Sequence, residues 1–185
     1  MTEKTTRKPY TMLALLAVFI VPVVLAKLAL DNNWFNRGVT NKGELIQPVM
    51  DLSSLLDKQP PKWRLVYQVP AHCDAGCENA LYSIQQVWLA LGRDTDRAQP
   101  TVLFSTDSDI QAVARLQKDT QINVVAVSPS EQQSEALSAD AVYLVDTLNN
   151  AMLRYTVSDD RKRAIMNSRD MLADVRKLLK LSRIG

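Results

Sequence analysis

The stretch "WRLVYQVPAHCDAGCENALYSIQQVWLALG", residues 63–92, holds both cysteines and the one histidine of the 185-residue chain. It opens with a compact apolar run of β-branched and aromatic side chains that ends at a proline, which predicts a buried strand. From Leu81 onward, apolar residues recur every three or four positions until a glycine, which predicts an amphipathic helix. Cys73 and Cys77 therefore lie in the turn between a strand and a helix.

The rest of the C-terminal part continues to alternate between strand and helix patterns. The other predicted elements are strand 101–105, helix 107–119, strand 122–128, strands 141–146 and 151–157, and helix 163–182. The continuously apolar run at 122–128 predicts a strand that is buried on both faces. The turn "TLNN" joins the last two strands into a hairpin, which we expect to add antiparallel edge strands to a parallel sheet.

This order of elements and the position of the cysteines are two independent observations, and they predict the same fold. Alternating strands and helices pair in parallel through right-handed crossovers. Cysteines that follow the first core strand and enter the first helix are typical of a thioredoxin-like domain. We therefore predict an α/β fold: a thioredoxin-like domain with a central mixed sheet flanked by helices, and one N-terminal transmembrane helix.

The transmembrane helix is predicted from the apolar N-terminal segment. Residues from Met12 to Ala26 carry no charge, and Lys27 is the one charged residue before Asp31. About 20 apolar residues span a bilayer core, and a lysine near the helix end can extend toward the headgroups. A cleaved signal peptide is the alternative, but the run is long for one and Lys27 lies in the candidate cleavage region. We therefore expect an uncleaved anchor at residues 11–30.

Charges around this anchor predict its orientation. Lys4, Arg7 and Lys8 precede it and Asp31 follows it, so the positive-inside rule places the N-terminus in the cytoplasm. The remaining chain is then expected outside the cytoplasm. The predicted divisions are a cytoplasmic tail at 1–10, the anchor at 11–30, a juxtamembrane spacer rich in Asn, Asp and Pro at 31–62, and the thioredoxin-like domain at 63–185.

The charge balance excludes one class of partner. The chain has a net charge of +2, but residues 31–185 contain 18 basic and 19 acidic residues. A nucleic-acid binder carries a basic surface, so we expect no nucleic-acid partner. The five glycines are scattered through the chain, so no glycine-rich phosphate loop is present in the sequence either.

The spacing of the cysteines limits how they can pair. Residues four apart on a regular helix have Cβ atoms about 5–6 Å apart, whereas a disulfide needs about 3.8 Å. Cys73 and Cys77 can therefore join only in a loop or a distorted first turn, which Gly76 would permit. A helix N-terminus favours thiolate, whereas Asp74 and Glu78 disfavour a further negative charge.

Three roles are open for this segment: a redox couple, a metal site or a structural disulfide. A disulfide that closes so small a loop constrains little of the unfolded chain, which favours redox or metal chemistry. Two thiolates suit Cu(I) or zinc, and His72 could add an imidazole. Adjacent residues of an extended segment point to opposite sides, so His72 and Cys73 share one ion only if the backbone turns between them.

The anchor, the C-x3-C segment and the hairpin "VYLVDTLNNAMLRY" at 142–155 together resemble the Sco/SenC-type proteins. These are membrane-anchored, thioredoxin-like proteins that assist cytochrome c oxidase assembly. The segments "NWFNRGVTNKGELIQP" at 33–48 and 63–94 are similar to a Sco-related group of proteobacterial inner-membrane proteins. The chain departs from the Sco pattern before the late strand, where it has Ser138 and Asp140 and no imidazole.

The resemblance implies a periplasmic accessory protein for cytochrome c oxidase biogenesis, anchored in a bacterial inner membrane. Cys73 and Cys77 would act in thiol–disulfide exchange or in Cu(I) handling, with His72 as a possible third metal ligand. The partner would be a cytochrome c oxidase subunit or one of its assembly factors. The alternative is a non-catalytic assembly or accessory subunit of a respiratory oxidase that uses the fold as a docking surface.

Overall fold

The structure, a computed structural model, describes residues 9–32, 40–119, 121–128 and 137–182. The chain divides into two compact units, Met1–Thr40 and Asn41–Gly185. The helices are α1 (Pro9–Asp31), α2 (Ser53–Leu56), α3 (Ala75–Ala90), α4 (Ile110–Leu116) and α5 (Arg161–Leu181), with a short 3-10 helix at Gly92–Asp94. The strands are β1 (Glu44–Asp51), β2 (Trp63–Gln68), β3 (Ala98–Phe104), β4 (Asn123–Ala126), β5 (Ala141–Val145) and β6 (Asn150–Thr156).

The described part of the first unit is the helix α1. Its segment Met12–Asp31 has a mean hydropathy of 2.7 over 20 residues. By length and composition it can therefore cross a bilayer core. Pro22 lies inside the helix, where membrane-spanning helices tolerate proline. The helix predicted at 11–30 is present.

The second unit is built on one mixed six-stranded sheet with the strand order β1-β6-β5-β2-β3-β4. The pairs β2–β3 and β3–β4 are parallel, whereas β5 pairs antiparallel with both β2 and β6. The predicted thioredoxin-like sheet is confirmed. The hairpin differs from the prediction in its position: β5 lies at the centre of the sheet and β1 covers β6, so neither hairpin strand is an edge.

The first edge of the sheet is β1, which lies in the region predicted as a spacer. It pairs antiparallel with β6, and its register shifts between Leu45 and Met50, around Pro48. A proline is tolerated there because an edge strand pairs on one side only. After β1, Leu52 and Leu56 are fully buried. The compact unit starts at Asn41, so residues 41–62 of the region predicted as a spacer include a strand and a buried helical turn, which the polar composition of the segment conceals.

The opposite edge is β4, which was predicted to be buried on both faces. It is a four-residue strand that pairs with β3, its one neighbour among the described residues. Val125 is its one buried residue. The prediction of burial on both faces is confirmed in part: Ile122 and Val124 pack with the larger buried cluster, and Val125 and Val127 belong to the cluster on the other face, whereas Ala126 is exposed.

Both faces of the sheet are covered by apolar side chains. On one face, α3, α4 and α5 contribute Ile84, Val113 and Val175 to the larger buried cluster, which also contains Cys77. On the other face, α2 packs against the side of the sheet that carries Val66. At about 25 cal/mol per Å² of apolar surface, this burial is the main favourable term of folding. The larger cluster holds the start of α3 in place, and with it the cysteine segment.

A buried carboxylate fastens the beginning of the unit. Asp174 of α5 is 2 % exposed and accepts hydrogen bonds from the backbone N–H groups of Lys42 and Gly43, both at 2.8 Å, and from the Tyr155 hydroxyl at 2.9 Å. Burial, together with the charge of Asp174, raises the pKa of Tyr155, so this hydroxyl remains a donor. A Cβ at Gly43 would lie 2.6 Å from the Tyr155 ring. We call these four residues the N-terminal latch.

Candidate redox site

Cys73 and Cys77 form a disulfide, with their Cα atoms 5.1 Å apart. The helix α3 begins at Ala75 and its N-cap is Asp74. Cys73 therefore lies outside the helix and Cys77 in its first turn, which explains how residues four apart can join. This agrees with the expectation that the pair closes only where the helix is not regular. Cys77 is 1 % exposed and Cys73 is half-buried, so Cys73 is the more accessible residue of the pair.

Gly76 has a different role from the one expected. Among the described glycines only Gly92 has a positive φ, so Gly76 does not provide an unusual backbone conformation. A Cβ at Gly76 would lie 2.5 Å from Asp159 Oδ1 and 3.2 Å from Val157 Cγ1. Gly76 therefore lets the connection between β6 and α5 pass close to the disulfide.

The backbone N–H of each cysteine donates a hydrogen bond to a carboxylate. Asp74 Oδ1 accepts from the N–H of Cys77 at 3.0 Å, which is an N-cap contact. Asp109 Oδ2 accepts from the N–H of Cys73 at 3.1 Å, across 36 positions of the chain. The two cysteines are therefore fixed by side chains as well as by the bond between them.

Asp109 also caps α4. Its Oδ1 accepts from the N–H groups of Gln111 at 2.9 Å and Ala112 at 3.0 Å. The hydrogen bond from Ala112, followed by the one from Cys73, lowers the pKa of Asp109, and His72 contributes a smaller electrostatic effect in the same direction. The carboxylate is therefore ionised at neutral pH.

The loop that carries Asp109 is fastened to the end of β2. The Ser108 hydroxyl donates to the carbonyl of Val69 at 2.7 Å. The N–H of Asp109 donates to the carbonyl of Pro70 at 2.8 Å. The loop after β3 thus supports the backbone that leads into the cysteines. The sequence pattern that predicts helix 107–119 does not indicate these long-range contacts.

Charged side chains surround Cys73. Glu78 Oε1 lies 4.0 Å from Cys73 Sγ and forms an ion pair with Arg115 Nη2 at 2.5 Å. Both side chains of that pair are exposed, so it contributes little to stability. With Asp74 and Asp109 also present, carboxylates outnumber the cations near Cys73, and this charge disfavours an additional anion at the sulfur after reduction.

A groove lies beside the cysteines, between α3 and α4. Its volume is about 260 Å³. Glu78 and Arg115 form part of its rim, next to Cys73, and Leu81, Leu116 and Ile122 are among the apolar residues that line it. A partner segment that reaches Cys73 would therefore meet a partly apolar surface that also carries the charged side chains of Glu78, Arg115 and Asp119.

The three predicted metal-ligating residues do not form a three-donor site in this disulfide-bonded state. His72 is exposed. The described residues contain no group of three or more His, Cys, Asp or Glu side chains that could hold a metal ion. The donor set that the structure brings together is the pair Cys73 and Cys77, and a ligand role for His72 stays a prediction.

Solved structures share this fold at low sequence identity. Apo Sco1 from Thermus thermophilus is 14% identical with a TM-score of 0.53, and the match covers 75% of this chain and 97% of that one. Copper-bound ScoI from Arabidopsis thaliana is 15% identical with a TM-score of 0.49, covering 73% of this chain and 98% of that one. A SCO1/SenC family lipoprotein from Bacillus anthracis is 10% identical with a TM-score of 0.48, covering 78% and 98%.

The Thermus thermophilus structure confirms the predicted relationship to the Sco/SenC proteins at the level of the fold. A search of curated proteins found no significant sequence match. Residues 63–182 match the model of the family described as "Transmembrane-like, thioredoxin-like, C-terminal domain". These residues include β2 to β6 and the disulfide, and the chain belongs to this thioredoxin-like family.

Proposed function

We propose that the chain is a membrane-anchored, periplasmic accessory protein for cytochrome c oxidase biogenesis that acts by thiol–disulfide exchange. The observation that carries the proposal is the disulfide at the start of α3, with Cys73 half-buried and Cys77 1 % exposed. A pair with one accessible and one protected sulfur suits a two-step exchange. The accessible sulfur meets the partner, and the protected one completes the reaction.

The exchange starts from the reduced chain. The Cys73 thiolate attacks a disulfide of the partner, forms a mixed disulfide and releases one partner sulfur as a thiolate. Cys77 then loses its proton and attacks the sulfur of Cys73, which releases the second partner sulfur. The released thiolates take up the protons that the two cysteines lost. Two electrons pass to the partner, the chain returns to the Cys73–Cys77 disulfide, and a dithiol donor must reduce it again.

The partner in this proposal is a thiol pair that must be reduced before it receives copper. A dinuclear copper site of a cytochrome c oxidase subunit, or an assembly factor that serves it, has this chemistry. The length and apolar composition of α1 support an anchor in the bacterial inner membrane. The basic residues Lys4, Arg7 and Lys8 support a cytoplasmic N-terminus, which puts residues 41–185 in the periplasm.

Handling of Cu(I) by the same two sulfurs is the second candidate function. Its support is the proximity of Cys73 and Cys77, because two soft thiolates are suitable donors for Cu(I). We derive no step through copper, because the described residues assemble no third donor. Titration of the reduced full chain in detergent with Cu(I) tests it. Cys73→Ser should abolish binding, and His72→Ala, the matched control, should weaken it only if the imidazole is a ligand.

A trapping experiment tests the exchange function. Cys77→Ala should accumulate a mixed disulfide between Cys73 and a membrane protein of the oxidase pathway, because the resolving thiol is absent. The matched control is the Cys73→Ala, Cys77→Ala double variant, which should trap nothing and lower oxidase activity. If no mixed disulfide forms and the double variant supports full oxidase activity, the chain is a docking subunit without thiol chemistry.

A further inference from the structure

Reduction of the disulfide removes the covalent bond between the side chains of Cys73 and Cys77. Cys77 stays in the first turn of a buried helix, with its N–H held by Asp74. Cys73 precedes the helix, so the helix does not fix its position. It keeps its packing against the larger buried cluster and a hydrogen bond of 3.1 Å from its N–H to Asp109 Oδ2. Asp109 is therefore a side chain that can keep the backbone of Cys73 in place once the sulfurs separate.

Asp109 is itself well fixed. Its N–H is bound to the carbonyl of Pro70, and its Oδ1 is bound to two N–H groups at the start of α4. Ala112 and Val113 of α4 belong to the larger buried cluster. The carboxylate thus connects Cys73 to a rigid part of the domain rather than to another mobile loop.

The geometry requires a carboxylate at this position. One oxygen of Asp109 accepts from Cys73 and the other from α4. Asparagine has a single acceptor oxygen and would present an NH2 group to one of these donors. Serine caps helices well, but its shorter side chain cannot serve both donors. A substitution can therefore preserve the cap of α4 while it removes the contact to Cys73.

We propose that Asp109 is a positioning residue that holds Cys73 next to Cys77 in the dithiol state and so favours closure of the disulfide. This inference deepens the proposed function and rests on it. A thiol that is held near its partner has a high effective concentration, which lowers the entropic cost of forming the bond. Loss of the contact should therefore shift the equilibrium toward the dithiol.

The test measures the equilibrium between the chain and a dithiothreitol redox buffer, using the full chain in detergent. We expect Asp109→Ser to lower the equilibrium constant for disulfide formation about fivefold, the size of one hydrogen bond. Asp160→Ser is the matched control, because Asp160 caps α5 in the same way through the N–H of Lys162 and has no contact with a cysteine. This control should remain within about twofold of the wild type.

The proposal is overturned if the folded Asp109→Ser chain has the wild-type equilibrium, or if Asp160→Ser shifts it equally. Circular dichroism and thermal unfolding establish that each variant is folded. If Asp109→Ser does not fold, Asp109→Asn replaces it, with the same expected direction and the same overturning result. The redox equilibrium is measured without a partner. Asp109→Ser can therefore leave this equilibrium unchanged while Cys77→Ala still traps a partner, and Asp109→Ser can shift it while Cys77→Ala traps nothing.

Discussion

Two segments of the second unit are fastened by a carboxylate that accepts backbone N–H groups, yet they differ in burial. In the N-terminal latch, Asp174 is 2 % exposed and binds Lys42 and Gly43. In the cysteine segment, Asp109 is partly exposed and binds Cys73. The same kind of contact serves stability where water is excluded. Where water has access, as at Asp109, the contact positions the backbone of Cys73 and contributes less to stability.

The burial of a carboxylate also decides what its removal costs. A buried donor that loses its acceptor keeps the full cost of its desolvation, whereas an exposed donor binds water instead. We therefore expect changes in the latch to act mainly on the free energy of unfolding. Changes near Cys73 should act mainly on the chemistry of the disulfide. The following substitutions test this difference, from the largest expected effect to the smallest.

The largest effect is expected from Asp174→Ala. It leaves the N–H groups of Lys42 and Gly43 and the Tyr155 hydroxyl without their acceptor. We expect the free energy of unfolding to fall by about 3–5 kcal/mol. Urea unfolding of the full chain in detergent measures it. Asp170→Ala, one turn earlier on α5, is the control. A loss below about 1 kcal/mol for Asp174→Ala would contradict the role of the latch.

The next effect is expected from Gly43→Ala. The added methyl group would lie 2.6 Å from the Tyr155 ring, and overlap with a buried ring costs about 1–3 kcal/mol. Combining it with Tyr155→Leu should recover part of the loss, which a double-mutant cycle by urea unfolding measures. Purely additive losses would show that the ring is not the cause.

Gly76→Ala should be milder, because the nearest atom is one that can move. The methyl group would lie 2.5 Å from Asp159 Oδ1, the end of a side chain, and 3.2 Å from Val157 Cγ1. We expect a loss of about 1 kcal/mol. In the Asp159→Ala background, thermal unfolding should show a smaller loss. An effect as large as that of Gly43→Ala would mean that the two segments are equally rigid.

The smallest effect concerns acid sensitivity. Hydrogen bonds from Ala112 and Cys73 lower the pKa of Asp109 in the folded chain. Its contribution to stability is therefore complete above the unfolded pKa of about 4 and is lost as the pH falls through the lower folded pKa. Asp109→Asn should unfold with a shallower acid dependence between about pH 5 and pH 2 in urea titrations. An acid dependence equal to that of the wild type would contradict this role of Asp109.

The sequence predicted the elements whose pattern is local. β2 and α3 follow from periodicity within residues 63–92, and the cysteine spacing alone required closure outside a regular helix. It did not predict β1, because that strand is defined by pairing with β6 more than 90 positions later. The second contact of Asp109 was missed for the same reason. A helix N-cap can be predicted from residues that are close in sequence. A hydrogen bond across 36 positions of the chain forms only when the sheet is complete.

The two edges of the described sheet limit how a partner can bind. β1 shifts register around Pro48, which has no N–H to offer, and β4 is only four residues long. Neither edge presents a long regular row of free backbone groups, so recognition by strand addition has little to build on. The same irregular edges protect the domain from self-association through its sheet. Under the proposed function, selectivity for a partner would therefore come from side chains, and the groove between α3 and α4 beside Cys73 is a surface that can provide such contacts.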